Sequence, residues 1–449
     1  MSAPTASYSS CCLLSSCLGL VPLLCLLHPL ALRADDLGPT NQIRRAVEIR
    51  DLTVAQASQH YPVKLQGVIT FFDTNLFMRF IQDKSAGIYF FPFVATNGPI
   101  LTAGQLVELE GTTDPGEFAP VVQPSQIKVL GPGTFPPATP VTYEQLASGE
   151  QDSQFVEIHG VVRAVDFDPQ TKHYSLEIET GCGRVTALVA NLPVDNKDLL
   201  VDSTVQIHGV CATRFTSRRQ LFDIRLLLPR PTDLVVELLG SPNPFATTPL
   251  RPISQLLQFA PHSPLGHRVK VEGTVIYAQD ETLYIENETD GLYVQTKRAN
   301  SLIPGDQVEV LGFPAKGEYT PMLQDAIFRK IGSGAMPMPQ SITADDALKG
   351  TYDSRLVQIE ATILDRARQS PDEFLVLQSD RCIFLAYRER KTGGVDFAYL
   401  SNGSKVAVTG VCRVDVGNGW RVGSDWRAKS FNLLVRWPRD IEVLTQPSP

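Results

Sequence analysis

The chain repeats itself at long range, and this repeat limits what it can fold into more than any other feature. Three landmarks in the first half recur 201 positions later. They are Gly116-Glu117-Phe118 with Gly317-Glu318-Tyr319, Asp152-Ser153 with Asp353-Ser354, and Gly209-Val210-Cys211 with Gly410-Val411-Cys412. Self-similarity at a fixed offset is the mark of a duplicated structural unit. The chain is therefore built from two halves of similar fold.

Each half contains the same local pattern twice, a short helix-like turn followed by an alternating segment. The four segments are YPVKLQGVITFF, FVEIHGVVRAV, HRVKVEGTVIYA and RLVQIEATILD. Stretches rich in proline and glycine separate them. We place module 1 at 43–131, module 2 at 140–238, module 3 at 250–332 and module 4 at 340–445. Modules 1 and 2 form the first couple, and modules 3 and 4 form the second.

Strand periodicity dominates these modules. In Lys64–Thr70 and Val205–Val210, apolar residues alternate with polar ones, which is typical of strands with one buried face. Helical signals are short: Thr142–Gln145 and Thr343–Asp346 read as capping-box starts of one or two turns. Each module offers about five strands, and a central glycine in the long first strand of modules 1 to 3 permits the sharp bend that a small barrel needs. The sequence predicts an all-β chain of four tandem OB-fold-like barrels, arranged as a duplicated two-domain unit with short helical turns.

The tandem order of these motifs also resembles a known family. The segments YPVKLQGVITFFD, FIQDKSAGIYF, VELEG, GVC and DIEVL follow one another as strands and turns. In this pattern residues 43–445 resemble the periplasmic input region of certain bacterial sensor histidine kinases. The resemblance implies an OB-like sensor domain of two-component signalling that binds a ligand outside the cytoplasmic membrane.

The end of the sequence departs from that family. Receptors of this kind continue from the closing strand into a membrane helix and a kinase, whereas this sequence ends at Pro447-Ser448-Pro449. We therefore assign no kinase chemistry to it. A truncated receptor gene, a fragment and a free-standing binding protein that works with a separate membrane receptor or kinase all remain open.

The N-terminal residues 1–34 differ in composition from the rest. They contain no acidic residue and one basic residue, Arg33. The apolar stretch Leu18–Leu32 has the length of a signal-peptide core, and Ala34 offers a small-residue cleavage site. We predict a signal peptide, or alternatively an N-terminal anchor, and a periplasmic or extracellular location. Contact with a membrane is expected only through this segment, if it stays uncleaved.

Charge and motifs argue against two broad functional classes. The chain has 40 Lys and Arg against 48 Asp and Glu, a net charge of −8. This charge argues against binding of nucleic acid through its phosphates. The sequence contains no HExxH, GxSxG, P-loop or CxxC motif. We therefore expect a protein that is not an enzyme and that uses no cofactor and no metal.

Four cysteines of the body form two similarly spaced pairs. Cys182 precedes Cys211 by 29 residues, and Cys382 precedes Cys412 by 30. In an oxidising compartment such pairs could form disulfides, each stabilising its module by roughly 3 to 4 kcal/mol. Four buried thiols are the alternative, and the sequence leaves both open.

The clearest functional hint is a set of aromatic residues on the second and third strands of modules 1 and 3. Phe80 corresponds to Tyr284 and Tyr89 to Tyr293, both pairs 204 positions apart. Parity along the strands points these four rings outward, on the face where OB folds bind oligonucleotides and oligosaccharides. The rings predict either a binding surface or packing against the neighbouring module.

The same parity places two further rings inside. Phe71 shares parity with Leu65 and Ile69, and Tyr277 with Val271 and Val275. We therefore expect Phe71 and Tyr277 in the barrel cores.

These observations favour an exported protein that binds or senses a ligand. The expected ligand is a small molecule or a glycan on modules 1 and 3, with modules 2 and 4 as spacers. A non-catalytic structural or protein-interaction array, docking on a receptor or an envelope assembly, is the alternative. Binding of single-stranded nucleic acid or an oligosaccharide is a third possibility, although nucleic acid is opposed by the acidic balance.

Overall fold

Four β-sheets follow one another along the chain in a computed structural model. It describes residues 42–92, 99–259, 266–369, 372–389, 397, 399–417, 420–422 and 425–447. The predicted signal segment lies outside the described residues. Within them, no helix is long and apolar enough to cross a bilayer.

The first sheet lies in module 1 and has five strands. Two short helices precede it, α1 (Ala46–Arg50) and α2 (Val54–Ala57). The strands are β1 (Pro62–Asp73), β2 (Met78–Gln82), β3 (Gly87–Tyr89), β4 (Gln105–Asp114) and β5 (Val121–Pro132). Their order in the sheet is β3-β2-β1-β4-β5. A parallel bridge from Phe90 to Val122 brings the β3 edge to the β5 edge.

The second sheet, in module 2, has the same order with one extra strand at each edge. Its elements are β6 (Thr139–Pro140), α3 (Tyr143–Ala147), β7 (Phe155–Asp168), β8 (His173–Glu179), β9 (Arg184–Val189), β10 (Thr204–Phe215), β11 (Leu221–Leu228) and β12 (Leu234–Leu238). The order is β12-β10-β11-β9-β8-β7-β6, and a further pairing of β10 with β7 closes the sheet on itself.

The third sheet, in module 3, is a closed barrel. Helix α4 (Pro244–Thr247) precedes β13 (Val269–Gln279), β14 (Thr282–Glu286), β15 (Gly291–Thr296), β16 (Asp306–Ala315) and β17 (Met322–Ser333). The barrel order is β13-β14-β15-β17-β16.

The fourth sheet, in module 4, repeats the arrangement of the second. Its elements are β18 (Gln340–Ser341), α5 (Ala344–Leu348), β19 (Leu356–Gln369), β20 (Asp372–Ser379), β21 (Cys382–Arg388), β22 (Lys405–Asp415), β25 (Ser430–Leu434) and β26 (Ile441–Thr445), with the small ribbon β23 (Trp420–Val422) and β24 (Asp425–Arg427) before β25. Pairing of β19 with β22 closes this sheet. Short 3-10 helices cover Lys197–Leu200, Pro231–Asp233, Ile253–Gln255 and Pro438–Asp440.

The shared strand order is first, second, third, fifth and fourth, which is the order of an OB fold. The predicted all-β fold of OB-like barrels with short helices is confirmed. Each barrel has its own apolar core. The predicted helix starts are also present, since Thr142 and Thr343 each accept a hydrogen bond from the backbone N–H three residues on. Leu146 of α3 and Ala347 of α5 are fully buried in the barrels that follow.

Two expectations about strand facing were wrong. Phe71 and Tyr277 are buried, but on the outside of their barrels rather than in the cores. The register shifts between Ile69 and Phe71, and likewise between Val275 and Tyr277. Such a β-bulge adds one residue and reverses the inward and outward alternation beyond it.

Neither of the two disulfides that the sequence left open is formed. Cys182, Cys211, Cys382 and Cys412 are all free thiols. Cys211 and Cys412 point into the barrel cores from β10 and β22, where burial raises the pKa of each thiol. Cys182 is exposed on the turn between β8 and β9, and Cys382 begins β21. Each pair therefore has one sulfur inside the barrel and one at its end.

Candidate ligand-binding site

The four predicted rings lie on the outer faces of barrels 1 and 3, but the next module covers two of them. Phe80 and Tyr284 are each only 3% exposed, whereas Tyr89 and Tyr293 are half-buried. The rings point outward as expected, and of the two alternatives that the sequence left open, Phe80 and Tyr284 follow packing against the neighbouring module. Aromatic side chains bury the largest areas, so an outward apolar face attracts a covering partner.

In the first couple the rings belong to an apolar cluster shared by both modules. Its buried members are Phe71, Phe80, Phe155, Val210, Ala212 and Leu227. The Phe80 and Tyr89 rings meet edge to face, with centroids 5.4 Å apart. The second couple has an equivalent cluster of Ile276, Tyr277, Tyr284, Leu356, Val411 and Leu434, with Tyr293 and Tyr387 at its edge.

Hydrogen bonds fix the two modules of each couple around these clusters. Gln154 of module 2 donates to the Gly87 carbonyl over 3.1 Å and accepts from the Gly87 N–H over 2.9 Å. In the second couple, a Glu286 carboxylate oxygen accepts from the Leu356 N–H over 3.0 Å. A Cβ at Gly87 would lie 2.0 Å from the Ser153 carbonyl oxygen, and one at Gly291 would lie 2.1 Å from that of Ser354. Glycine is required at both contacts because the modules approach so closely.

A cavity of about 260 Å³ opens at the edge of the first cluster. Its lining comes from both modules and is rich in aromatic side chains. It consists of Leu76, Phe77, Met78, Phe80, Tyr89, Phe91, Gly116, Glu117, Phe118, Ala119 and Val121 of module 1, with Asp152, Ala212, Thr213 and Phe215 of module 2. Two of the four predicted residues, Phe80 and Tyr89, thus lie in one cavity wall, and module 2 supplies the opposite wall.

The aromatic rings around the cavity are arranged in contact with each other. Phe118 and Phe215 stack across the two modules, with centroids 5.9 Å apart and planes 10° from parallel. Phe91 meets Tyr89 edge to face at 5.9 Å. Phe77 is 69% exposed at the opening. A flat apolar molecule could stack on these faces.

Polar groups in the lining are largely engaged with the protein. The Asp152 carboxylate accepts from the Thr213 hydroxyl over 2.7 Å and from the Thr213 N–H over 3.3 Å. The Tyr89 hydroxyl donates to the Phe77 carbonyl over 3.2 Å, and burial raises the pKa of Tyr89. The hydroxyl is therefore neutral near pH 7. Charge in this lining comes from the carboxylates of Glu117 and Asp152, so the cavity disfavours an anionic guest.

Module 2 also anchors the module 1 loop around Gly116 and Phe118, which forms the rim of the cavity. Arg219 lies between β10 and β11 and donates to the backbone carbonyls of Gly116, Pro115 and Phe118, over 2.6, 2.8 and 3.0 Å. Three bonds from one charged guanidinium give a rigid anchor. The loop that carries Phe118 is thereby attached to the module that carries Phe215.

The second couple fills the corresponding space. Ala212 follows the buried Cys211, and Arg413 follows the buried Cys412 at the equivalent place. Leu188 pairs with Leu227 where Tyr387 pairs with Leu434. The Arg413 guanidinium donates to the Tyr387 hydroxyl and reaches within 3.8 Å of the Glu318 carboxylate. An arginine and a tyrosine thus stand where the first couple has an alanine and a leucine.

Sequence reasoning missed the contribution of module 2 and of the β1–β2 hairpin. Four residues separate Asp73 from Met78, but only two separate Gln279 from Thr282. The longer hairpin supplies Leu76 and Phe77 to the cavity. The offset between the halves falls from 206 at Gly67 and Gly273 to 204 at Phe80 and Tyr284, and this fall signals the two-residue difference in hairpin length. The repeated Gly-Glu-aromatic motif also marks the loop of Phe118, but not its role.

Metal ligands do not gather at this site. Among the described residues, no three His, Cys, Asp or Glu side chains are placed to hold one metal ion.

Comparison with known proteins gives fold-level similarity at most. No family model matches the chain, and no curated protein does. Among solved structures, a replication protein A heterotrimer bound to single-stranded DNA is similar at 8% identity and a TM-score of 0.20, over 65% of this chain and 94% of that one. A murine DNA-binding protein with double-stranded DNA has 12% identity and a TM-score of 0.23, over 40% and 98%.

An aspartyl-tRNA synthetase from Entamoeba histolytica is also similar, at 14% identity and a TM-score of 0.19. The similarity covers 25% of this chain and spans 22% of the synthetase. Scores this low carry no argument about what the present protein binds.

Proposed function

We propose that the first couple binds a small, uncharged, largely aromatic or apolar molecule in the cavity between modules 1 and 2. The role is binding or sensing without catalysis, as the resemblance to sensor input regions implies. The single observation that carries the proposal is the asymmetry between the couples. The same joint is occupied by Arg413 and Tyr387 in one couple and left open and lined with rings in the other.

The size and lining of the cavity narrow the ligand class. Its volume of about 260 Å³ lies just below the roughly 300 to 1,000 Å³ of pockets for drug-sized ligands. Two or three fused or linked aromatic rings would fill it. Asp152 and Glu117 would repel an anionic guest, and a neutral guest avoids the desolvation penalty of several kcal/mol that burying an ion carries.

A neutral fluorescent probe tests this proposal directly. N-phenyl-1-naphthylamine should bind the full chain saturably, with one site per chain and an increase in emission. Ala212→Arg introduces into the first couple the side chain that the second couple already carries. We expect it to weaken probe binding at least tenfold, because the guanidinium occupies the cavity. Retention of wild-type affinity in Ala212→Arg would exclude the site.

The control variant removes an exposed ring from the same module. Phe167 is 47% exposed and lies outside the cavity lining. Phe167→Ala should bind the probe as wild type does. A loss of binding in this variant would show that the probe reports surface hydrophobicity and would count against the cavity.

We further propose that this binding takes place outside the cytoplasm, in the periplasm or the extracellular medium. The composition of residues 1–34 supports this, together with the resemblance of 43–445 to sensor input regions. After expression with its own N-terminus, the exported chain should begin at Asp35, and mass spectrometry of the intact protein checks this. An intact chain found only in the cytoplasm would contradict it.

A further inference from the structure

The joint between the two couples holds a second cleft, unlike the first in size and chemistry. It has a volume of about 700 Å³ and is lined by modules 2 and 3 together with the segment that joins them. Five cationic side chains lie in its lining: Arg163, Lys197, Arg268, Lys297 and Arg298. The proposed ligand site uses none of these residues.

Two of these arginines flank one buried phenylalanine of module 3. Arg163 comes from β7, and its guanidinium carbon lies 3.9 Å from the centroid of the Phe313 ring. Arg268 directly precedes β13, and its guanidinium carbon lies 5.2 Å from the same ring. Phe313 itself is fully buried. The ring positions both cations by cation–π contact without neutralising them.

Both guanidiniums have buried nitrogen atoms without a hydrogen-bond acceptor. The side chain of Arg163 is only 4% exposed, yet its Nε and Nη1 atoms have no hydrogen-bond partner. Its nearest carboxylate, on Glu179, is 3.8 Å from Nη2. The Nε of Arg268 is likewise buried without a partner. Buried polar groups are rarely left unpaired, and buried guanidiniums prefer oxygen acceptors.

The carboxylates of the cleft do not fill this role, because the best placed of them serve other groups. Asp202 accepts from the Arg268 N–H and pairs with the His267 ring, both over 3.0 Å. Asp325 pairs with Arg184 over 2.7 Å and lies 3.9 Å from Lys297. Asp166 and Asp198 are exposed at the edge of the cleft.

We propose that this cleft binds an oxyanion, a phosphate or a carboxylate group, through Arg163 and Arg268 with support from Lys197 and Arg298. A planar guanidinium binds either group in a bidentate manner. Because the two arginines belong to different modules, the bound anion connects the first couple to the second.

Calorimetry with inorganic phosphate and with acetate tests the proposal on the full chain at constant ionic strength. We expect one site per chain for at least one of these anions, and at least tenfold weaker binding in Arg268→Gln. Binding of phosphate alone assigns a phosphate group to the site, and binding of acetate alone assigns a carboxylate. Binding of neither anion would overturn the proposal.

Two further variants make the test independent of whether Arg268→Gln folds. Arg218→Gln changes an exposed arginine of the β10–β11 hairpin, outside the cleft, and should bind as wild type does. Arg298→Gln changes an exposed cleft residue and should weaken binding severalfold, whether or not Arg268→Gln folds. Equal affinity in Arg298→Gln, Arg218→Gln and the wild type would contradict the assignment.

Discussion

A pair of residue differences separates the two couples at their joints. Arg413 and Tyr387 hold each other in the second couple through a hydrogen bond and a cation–π contact of 5.9 Å. Ala212 and Leu188 stand at the same places in the first couple. The smaller side chains leave room for the cavity that Tyr89, Phe118 and Phe215 line. A duplicated scaffold thus carries one open joint and one filled joint.

At the joint between the couples, a single histidine makes stability depend on pH. The Nδ1–H of His267 donates to the Asp202 carboxylate over 3.0 Å, and this hydrogen bond raises the pKa of His267 above its usual 6.5 or so. Partial burial and the charge of Arg163 oppose the rise, but do not cancel it. The protonated ring therefore stabilises the folded state below about pH 6.5. This contribution is lost as the pH rises through the higher folded-state pKa.

We expect the free energy of unfolding to fall through this group as the pH rises from about 6 to about 8. Urea unfolding at a series of pH values measures it. His267→Gln should reduce that pH dependence. His159→Gln, which changes a more exposed ring, should keep it. An unchanged pH profile in His267→Gln would contradict the assignment.

Among the structural elements, the first strand of modules 1 and 3 determines which way the aromatic rings face. Alternation along β1 and β13 correctly places Leu65, Ile69, Val271 and Val275 in the barrel cores. Beyond the bulge the alternation reverses, so the strand that begins as barrel wall ends as joint surface. Parity could be predicted from the sequence up to the bulge and not past it, because a bulge leaves no reliable mark in a single sequence.

Two hairpins supply cavity residues that the barrel walls do not provide. The β1–β2 hairpin brings Phe77 to the cavity opening. The β10–β11 hairpin brings Phe215 into the cavity wall and Arg219 to the cavity rim. Their lengths and turn residues are readable in the sequence. Which hairpin meets which loop depends on how two barrels dock, and no local pattern encodes that.

At the scale of the whole molecule, the joints within the couples and the joint between the couples are held by different kinds of contact. Apolar clusters join the modules within each couple. Ionic and polar contacts join the couples, such as Arg184 with Asp325 and His267 with Asp202. Apolar burial stabilises a joint by about 25 cal/mol per Å², whereas exposed ion pairs contribute about 0 to 1 kcal/mol each. We infer that each couple unfolds as one unit and that the two units are weakly coupled.

Tryptophan fluorescence distinguishes the two units, because Trp420, Trp426 and Trp437 all lie in module 4. Gly291→Ala places a Cβ against the Ser354 carbonyl and should destabilise the second couple by about 1 to 3 kcal/mol. The fluorescence midpoint in urea should then fall. Gly87→Ala should leave that midpoint in place and lower the stability of the first couple, seen by circular dichroism.

Gly334→Ala is the matched control, since its Cβ would meet nothing closer than 3.5 Å. It should change neither transition by more than about 0.5 kcal/mol. Equal shifts of the fluorescence midpoint in Gly87→Ala and Gly291→Ala would show that the four modules unfold as one unit.

The amino-acid sequence alone determined the duplicated architecture, the strand-rich modules and the capped turns at Thr142 and Thr343. These features rest on period-two alternation and short-range hydrogen bonding, which are properties of neighbouring residues. Only the tertiary structure decided that Phe80 and Tyr284 are covered, that the cysteines stay apart, and that a cavity opens beside Ala212. Those outcomes depend on how one barrel face meets the next, and a strand's own pattern shows which side is apolar but not what will cover it.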